Sequence, residues 1–136
     1  MRTTIAVNPA LRDRLMALKA RWHCRGLDEV LERLLEGPAR TATQLFKGRE
    51  SEVRAALRRH RVRRLVAFGS RARGEAHPDS DLDLAGSTPS SADLFDLVHI
   101  RDDLTKAFGV SVDFVSLEGA PARLRREIER GVVLVA

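Results

Sequence analysis

Asp81 and Asp83 stand two apart in the run Ser80-Asp81-Leu82-Asp83-Leu84. On a strand, that spacing sends both carboxylates out of one face while Leu82 and Leu84 enter the core on the other. Neighbouring carboxylates repel, a cost that a bound divalent cation offsets, and hard oxygen donors beside phosphates suit Mg2+. Upstream, across a ten-residue spacer, lies Gly69-Ser70. A glycine there lets a strand turn sharply and approach a ligand, and Ser70 places a hydroxyl and backbone amides where they can cradle a phosphate. A third acid, Asp113, sits in Val112-Asp113-Phe114, where a charge between core residues needs a partner or a metal. If the strands bearing Asp83 and Asp113 are neighbours, the three carboxylates form one site. Such a site can hold two metal ions ~3.5–4 Å apart, activate an attacking hydroxyl and neutralise a leaving pyrophosphate.

The segment Phe68 to Leu84, FGSRARGEAHPDSDLDL, resembles the polymerase-β-type nucleotidyltransferase superfamily. That pattern is Gly-Ser, about ten residues, Asp-x-Asp, then a later Asp on a strand. The run GSRARGE…SDLDL is most similar to the minimal nucleotidyltransferase (MNT) branch. The resemblance spans residues from about 50 to 136 and implies a Mg2+-dependent nucleotidyltransferase using ATP, with two Mg2+ ions. It implies that Gly69 and Ser70 hold the triphosphate, with Arg71 and Arg73 as further phosphate contacts. Asp81 and Asp83 would ligate the metals, and Asp113 would complete the site and serve as, or assist, the general base. Members of the branch act as antitoxins that transfer AMP to a tyrosine of a HEPN-type RNase toxin, so the resemblance also implies a cognate toxin as partner.

The elements that must position these residues can be read from periodicity. The chain reads as a helix over 50–60, a strand at Leu65–Phe68 and a helical turn at Gly69. A strand over 81–85, a helix over about 91–108, a strand over 110–116, a helix over about 120–130 and a strand from Val132 to Val135 follow. This alternation is α/β (α+β), and the resemblance implies the small mixed sheet of the nucleotidyltransferase fold flanked by helices. Residues 38–49 read as a linker.

Ahead of that domain, Thr3, Ile5 and Val7 alternate with Arg2, Thr4 and Ala6 in the pattern of a half-buried strand. Asn8-Pro9 starts a helix, Gly26 breaks it, Asp28 can cap a second, and Gly37-Pro38 ends that one. A strand and two short helices cannot bury their own apolar faces. Residues 1–37 resemble the ribbon–helix–helix modules that pair strands between two chains. That resemblance implies a homo-oligomer through this segment, with Arg2, Thr4 and Ala6 turned toward the major groove of operator DNA.

Charge is uneven: residues 1–64 carry 16 basic and 7 acidic side chains, and residues 65–136 carry 8 and 12. The stretch Arg58-Arg59-His60-Arg61 with Arg63-Arg64 would attract phosphates or an acidic partner. The single cysteine, Cys24, excludes an internal disulfide and a Cys-rich zinc module. His77 and His99 read as ordinary loop and helix residues, and Arg123, Arg125, Arg126 and Arg130 as helix charges. No apolar run approaches the ~20 residues of a membrane span, and no leader pattern is present, so a cytoplasmic location without membrane attachment is expected. Two alternatives remain beside the toxin-modifying reading. The same chemistry could act on RNA 3′ ends or a small hydroxylated molecule, or the chain could be a non-catalytic DNA-binding antitoxin and repressor.

Overall fold

The computed structural model describes residues 2–37 and 39–136. The chain divides into two compact units, Met1–Pro38 and Ala39–Ala136. In the first, α1 (Pro9–Arg21) starts as expected: the Asn8 side chain accepts from the Leu11 amide at 2.8 Å, and Pro9 takes the first position. The second helix, α2 (Leu27–Glu36), is capped by Gly26 rather than Asp28, which falls inside its first turn; Gly37 closes it at φ 86°. Leu15, Cys24 and Val30 make the small core between α1 and α2, and the thiol is one of its apolar members. Residues 2–8 are exposed and form no strand, so the strand expected over 3–7 is not formed in the single chain. Pro38, expected as a helix stop, lies outside the described residues.

The second unit opens on a difference. Within the stretch read as a linker, residues 42–47 form α3 (Ala42–Lys47), started by a reciprocal capping box between Thr41 and Gln44. Helix α4 (Glu50–Arg59) follows, then β1 (Arg63–Phe68), the short α5 (Gly69–Arg73), β2 (Leu82–Ser87), α6 (Leu94–Phe108), β3 (Val112–Ser116), α7 (Ala122–Glu129) and β4 (Val132–Val135). The sheet order is β3-β2-β1-β4. β1 is antiparallel to β2 and to β4, while β2 and β3 are parallel, so the sheet is mixed.

Strand alternation splits the core in two. Leu65, Ala67, Leu82, Leu84, Val112 and Phe114 face a large cluster built with α3, α4 and α6, with Phe108 near its centre. Val66, Phe68 and Ala85 face the other way, against Ile128 and Leu124 of α7. One face thus lies under three helices and the other under one. Asp83 and Asp113 alternate with the first set, so they belong to the thinly covered face. No helix among the described residues is long and apolar enough to cross a membrane.

Candidate active site

β1 delivers Phe68 in extended conformation, and the backbone then turns into α5 at Gly69, where φ is +74°. Only glycine adopts that conformation without penalty. It also has no room for a side chain: a Cβ on Gly69 would fall onto the Asp83 carboxylate, with Cγ only 3.2 Å away. The turn and the first strand carboxylate are therefore built against each other. Gly69 and Ser70 open α5, and amides of a first helical turn have no intrahelical acceptor, so they are available to an anion.

The strand register places the acids. Asp83 is the register partner of Phe68 on β1 and of Asp113 on the parallel β3. Asp81 lies just before β2, two residues upstream. Burial pushes the Asp83 carboxyl up to about 6, and the charges of Asp113, Asp81 and Glu127 push the same way, with Arg73 opposing them. Glu127, on α7, escaped the sequence reading; nothing in the spacing of the motif points to it, because α7 returns to this face only through the tertiary fold.

Arg71, expected as a phosphate contact, is held within the protein. Its side chain is 2% exposed. Nε donates to the Ser80 carbonyl at 3.0 Å, one terminal nitrogen to Pro78 at 3.1 Å and the other to Arg40 at 2.7 Å. Burial lowers its pKa, and Asp81 opposes that shift. The guanidinium grips the loop that delivers Asp81. That loop is also closed on itself, by the Ser80 amide on the His77 carbonyl and the His77 amide on the Ser80 hydroxyl. Arg73, in contrast, is exposed, paired with Glu75 at 3.2 Å and electrostatically coupled to Asp83. Arg2, Thr4 and Ala6 lie in the other unit, exposed and outside any strand.

Among the described residues, no three His, Cys, Asp or Glu side chains are arranged to hold a metal ion by themselves. The donors nevertheless fit Mg2+ in kind. They are hard carboxylate oxygens whose mutual repulsion a divalent charge relieves, and Mg2+ ordinarily takes one or two carboxylates plus substrate phosphates rather than a complete protein cage.

Comparison with known proteins agrees with this geometry. The profile of the family described as "Polymerase beta, Nucleotidyltransferase" matches residues 51–136. A structure described as a minimal nucleotidyltransferase is 38% identical, covering 64% of this chain and 89% of that one, with a TM-score of 0.55. A toxin–antitoxin solved with AMP-PNP is 26% identical over 62% of this chain and 71% of that one, at a TM-score of 0.56. A complex of tri-AMPylated Shewanella oneidensis HEPN toxin with MNT antitoxin, 22% identical over 65% and 70% at a TM-score of 0.51, shares the fold. No protein with a curated description matches. With a family match over most of its length, a mixed sheet and a Gly-Ser turn built against Asp-x-Asp, the chain belongs to the polymerase-β nucleotidyltransferase family and is a nucleotidyltransferase.

Proposed function

We propose that this nucleotidyltransferase is the antitoxin of a toxin–antitoxin pair, transferring AMP from ATP to a tyrosine hydroxyl of a cognate HEPN-type toxin. The observation that carries the reading is the side-by-side register of Asp83 and Asp113 beneath the Gly69 turn. Its support among relatives is the 26%-identical toxin–antitoxin with AMP-PNP. In this reading the amides of Gly69 and Ser70 orient the triphosphate, with Arg73 beside them. Asp81, Asp83 and Asp113 would hold Mg2+, which when bound supplies positive charge to the phosphates and the acceptor oxygen. Asp113 takes the acceptor's proton. The acceptor oxygen bonds to the α-phosphorus as the α–β bridging bond breaks, and pyrophosphate leaves.

The test is transfer of label from ATP, with Mg2+, to the HEPN-type protein encoded beside this gene. Label on the partner with wild type but not with Asp81→Ala supports the reading. Equal transfer by both defeats it.

We further propose that residues 1–37 pair two chains, ahead of a nucleotidyltransferase domain whose core takes in Ala42, Leu45 and Phe46 of α3. Ile5 is 69% and Leu35 88% exposed, more apolar surface than so small a unit would leave in water. Ile5→Asp should then yield a monomer by sedimentation. If the paired strands read operator DNA, Arg2→Ala should weaken a promoter mobility shift.

A further inference from the structure

The basic stretch between α4 and β1 plays no part in the nucleotidyl transfer described above. β1 begins there, at Arg63, opposite Ser87, and ends at Phe68, opposite Asp83. The arginines therefore lie at the far end of the strand, about 17 Å from the carboxylates at ~3.3 Å per residue.

Two backbone positions in this stretch are unusual. Arg61 follows the end of α4 with φ 55°, and the Val62 amide returns to the Leu57 carbonyl at 2.9 Å, a helix ending at which glycine is the usual residue. Arg64 has φ 57° where the β1–β2 register slips between Arg63 and Leu65, a bulge that glycine also fits best. Each costs on the order of 1 kcal/mol relative to glycine, and strain held at a surface position points to use. The side chains of Arg61, Arg63 and Arg64 are exposed and make no hydrogen bond or ion pair among the described residues. Arg59 and His60, by contrast, share Asp103.

Clefts lie beside Arg61 and Arg63, while Arg64 lines a separate one of about 410 Å³ with Glu118, Arg125 and Glu129. One of about 250 Å³ is lined by Arg61, Arg63, Ser87, Thr88 and Pro89. A second, of about 210 Å³, has Arg59 and Arg61 on one side and Ser91, Ala92 and Asp96 on the other. Phe95, next to Asp96 on the first turn of α6, is 77% exposed. The hydroxyls have a defined polarity. Ser87 donates to Glu118, and Thr88 and Ser116 share the same carboxylate. With its proton committed, Ser87 presents a ligand with an acceptor lone pair. That suits a ribose 2′-hydroxyl, which can donate, and does not suit a phosphate oxygen, which cannot.

We propose that this end of the sheet is a binding surface for single-stranded RNA. Arg61 and Arg63 engage neighbouring phosphates, Arg64 engages a third where the strand passes Ser87 into the adjoining cleft, the Ser87 hydroxyl accepts from a 2′-hydroxyl, and Phe95 offers a face to an unpaired base. Guanidinium groups suit phosphate bidentately, and an isolated exposed aromatic can stack only on a base already out of a duplex. The clefts are polar and lined by hydroxyls, as suits a nucleic-acid strand, and the exposed Leu94 and Val98 beside Phe95 on α6 add apolar surface against which an unpaired base can lie. The inference does not depend on which acceptor is adenylylated.

The experiment is fluorescence anisotropy of the full chain with a labelled single-stranded oligoribonucleotide of ~12 nucleotides. Three neutralised phosphates predict an affinity that falls roughly 15- to 20-fold for a fourfold rise in salt. The combined variant Arg61→Asn, Arg63→Gln, Arg64→Asn keeps residues that tolerate the left-handed conformation. It should bind at least tenfold more weakly, with unchanged melting temperature and unchanged nucleotidyl transfer. Phe95→Ala should lose several-fold with the same salt slope, and Asp81→Ala should bind as wild type. Undiminished binding by the triple variant would overturn the proposal. So would equal affinity for the deoxyribose strand or for duplex DNA, or displacement of the RNA by polyglutamate at matched charge.

Discussion

Gly69→Ala separates two costs that the structure makes additive. Gly69 and Gly74 both sit in the left-handed region, at φ +74° and +72°. An alanine at Gly74 would meet nothing within 4 Å, whereas at Gly69 its Cβ would fall onto the Asp83 carboxylate. Gly74→Ala therefore carries backbone strain alone, about 1–2 kcal/mol, which for a domain of this size lowers the melting temperature by roughly 4–8 °C per kcal/mol. Gly69→Ala carries the same strain plus a clash with the end of a short side chain, and Asp83 can relieve the clash by turning away. Its extra loss of stability should thus be small, under ~1 kcal/mol. Its catalytic loss should be large, because displacing a reacting group by about 1 Å costs about 100-fold. The assay is thermal melting of both variants together with initial rates of AMP transfer at saturating ATP and Mg2+. Similar melting with activity lost only in Gly69→Ala is the expected result. Near wild-type transfer by Gly69→Ala, or equal losses in the two variants, would refute the view that Gly69 exists to admit Asp83.

Other outcomes follow from the same geometry. With Asp83 raised to about 6 from an ordinary 3.8, the folded metal-free chain holds its proton more tightly than the unfolded chain. Stability should therefore fall as pH rises from about 4 to about 6, by roughly 3 kcal/mol at most, and Asp83→Asn should flatten that slope in urea titrations. Mg2+ should bind about tenfold more weakly per pH unit below 6, since proton and cation compete; calorimetric titration checks this. Arg71→Ala leaves three carbonyls without their donor and should cost roughly 2–4 kcal/mol by denaturant unfolding. If it instead raises KM for ATP with stability unchanged, the guanidinium is a phosphate ligand after all. Leu84→Ala, in the fully buried face of β2, should cost roughly 2–5 kcal/mol.

The mixed fold and the order of its elements could be read from the sequence because strand and helix periods are local. The apolar run at Leu65–Phe68, the alternation around Asp81–Leu84 and the Asn8-Pro9 start each depend on residues within one turn or one pleat. Helix α3 was legible too, in the Thr41-x-x-Gln44 capping box, but six residues show too little periodicity to stand out. The missing strand over 3–7 has the opposite cause: its pattern is clear, but alternation alone makes no strand, and these residues pair with no neighbour. Arg71 is hardest to read. Its place beside Gly69-Ser70 suggests phosphate, and only the return of the loop at 78–80 reveals three carbonyls waiting for it. Glu127 was invisible for the same reason, since its effect on Asp83 crosses from α7 to β2.

The two faces of the sheet connect these observations to the reaction proposed. Buried behind α3, α4 and α6, the Leu82–Leu84 face makes β2 rigid, and a rigid strand holds Asp83 against Gly69. The opposite face carries only α7 among the described elements, packed through Ile128 on Val66, Phe68 and Ala85. Asp83 is therefore half-buried and Asp113 open: enough burial to raise the charge cost that a cation relieves, and enough exposure to admit an acceptor. On the proposed reading, that acceptor side is completed by the toxin rather than by this chain. Docking would exclude water from the carboxylates and strengthen every charge interaction among them. The partner should then raise the rate of AMP transfer as well as receive the product. Comparing transfer to the toxin with transfer to a free tyrosine peptide measures this: equal kcat/KM for the two would place the whole site on this chain.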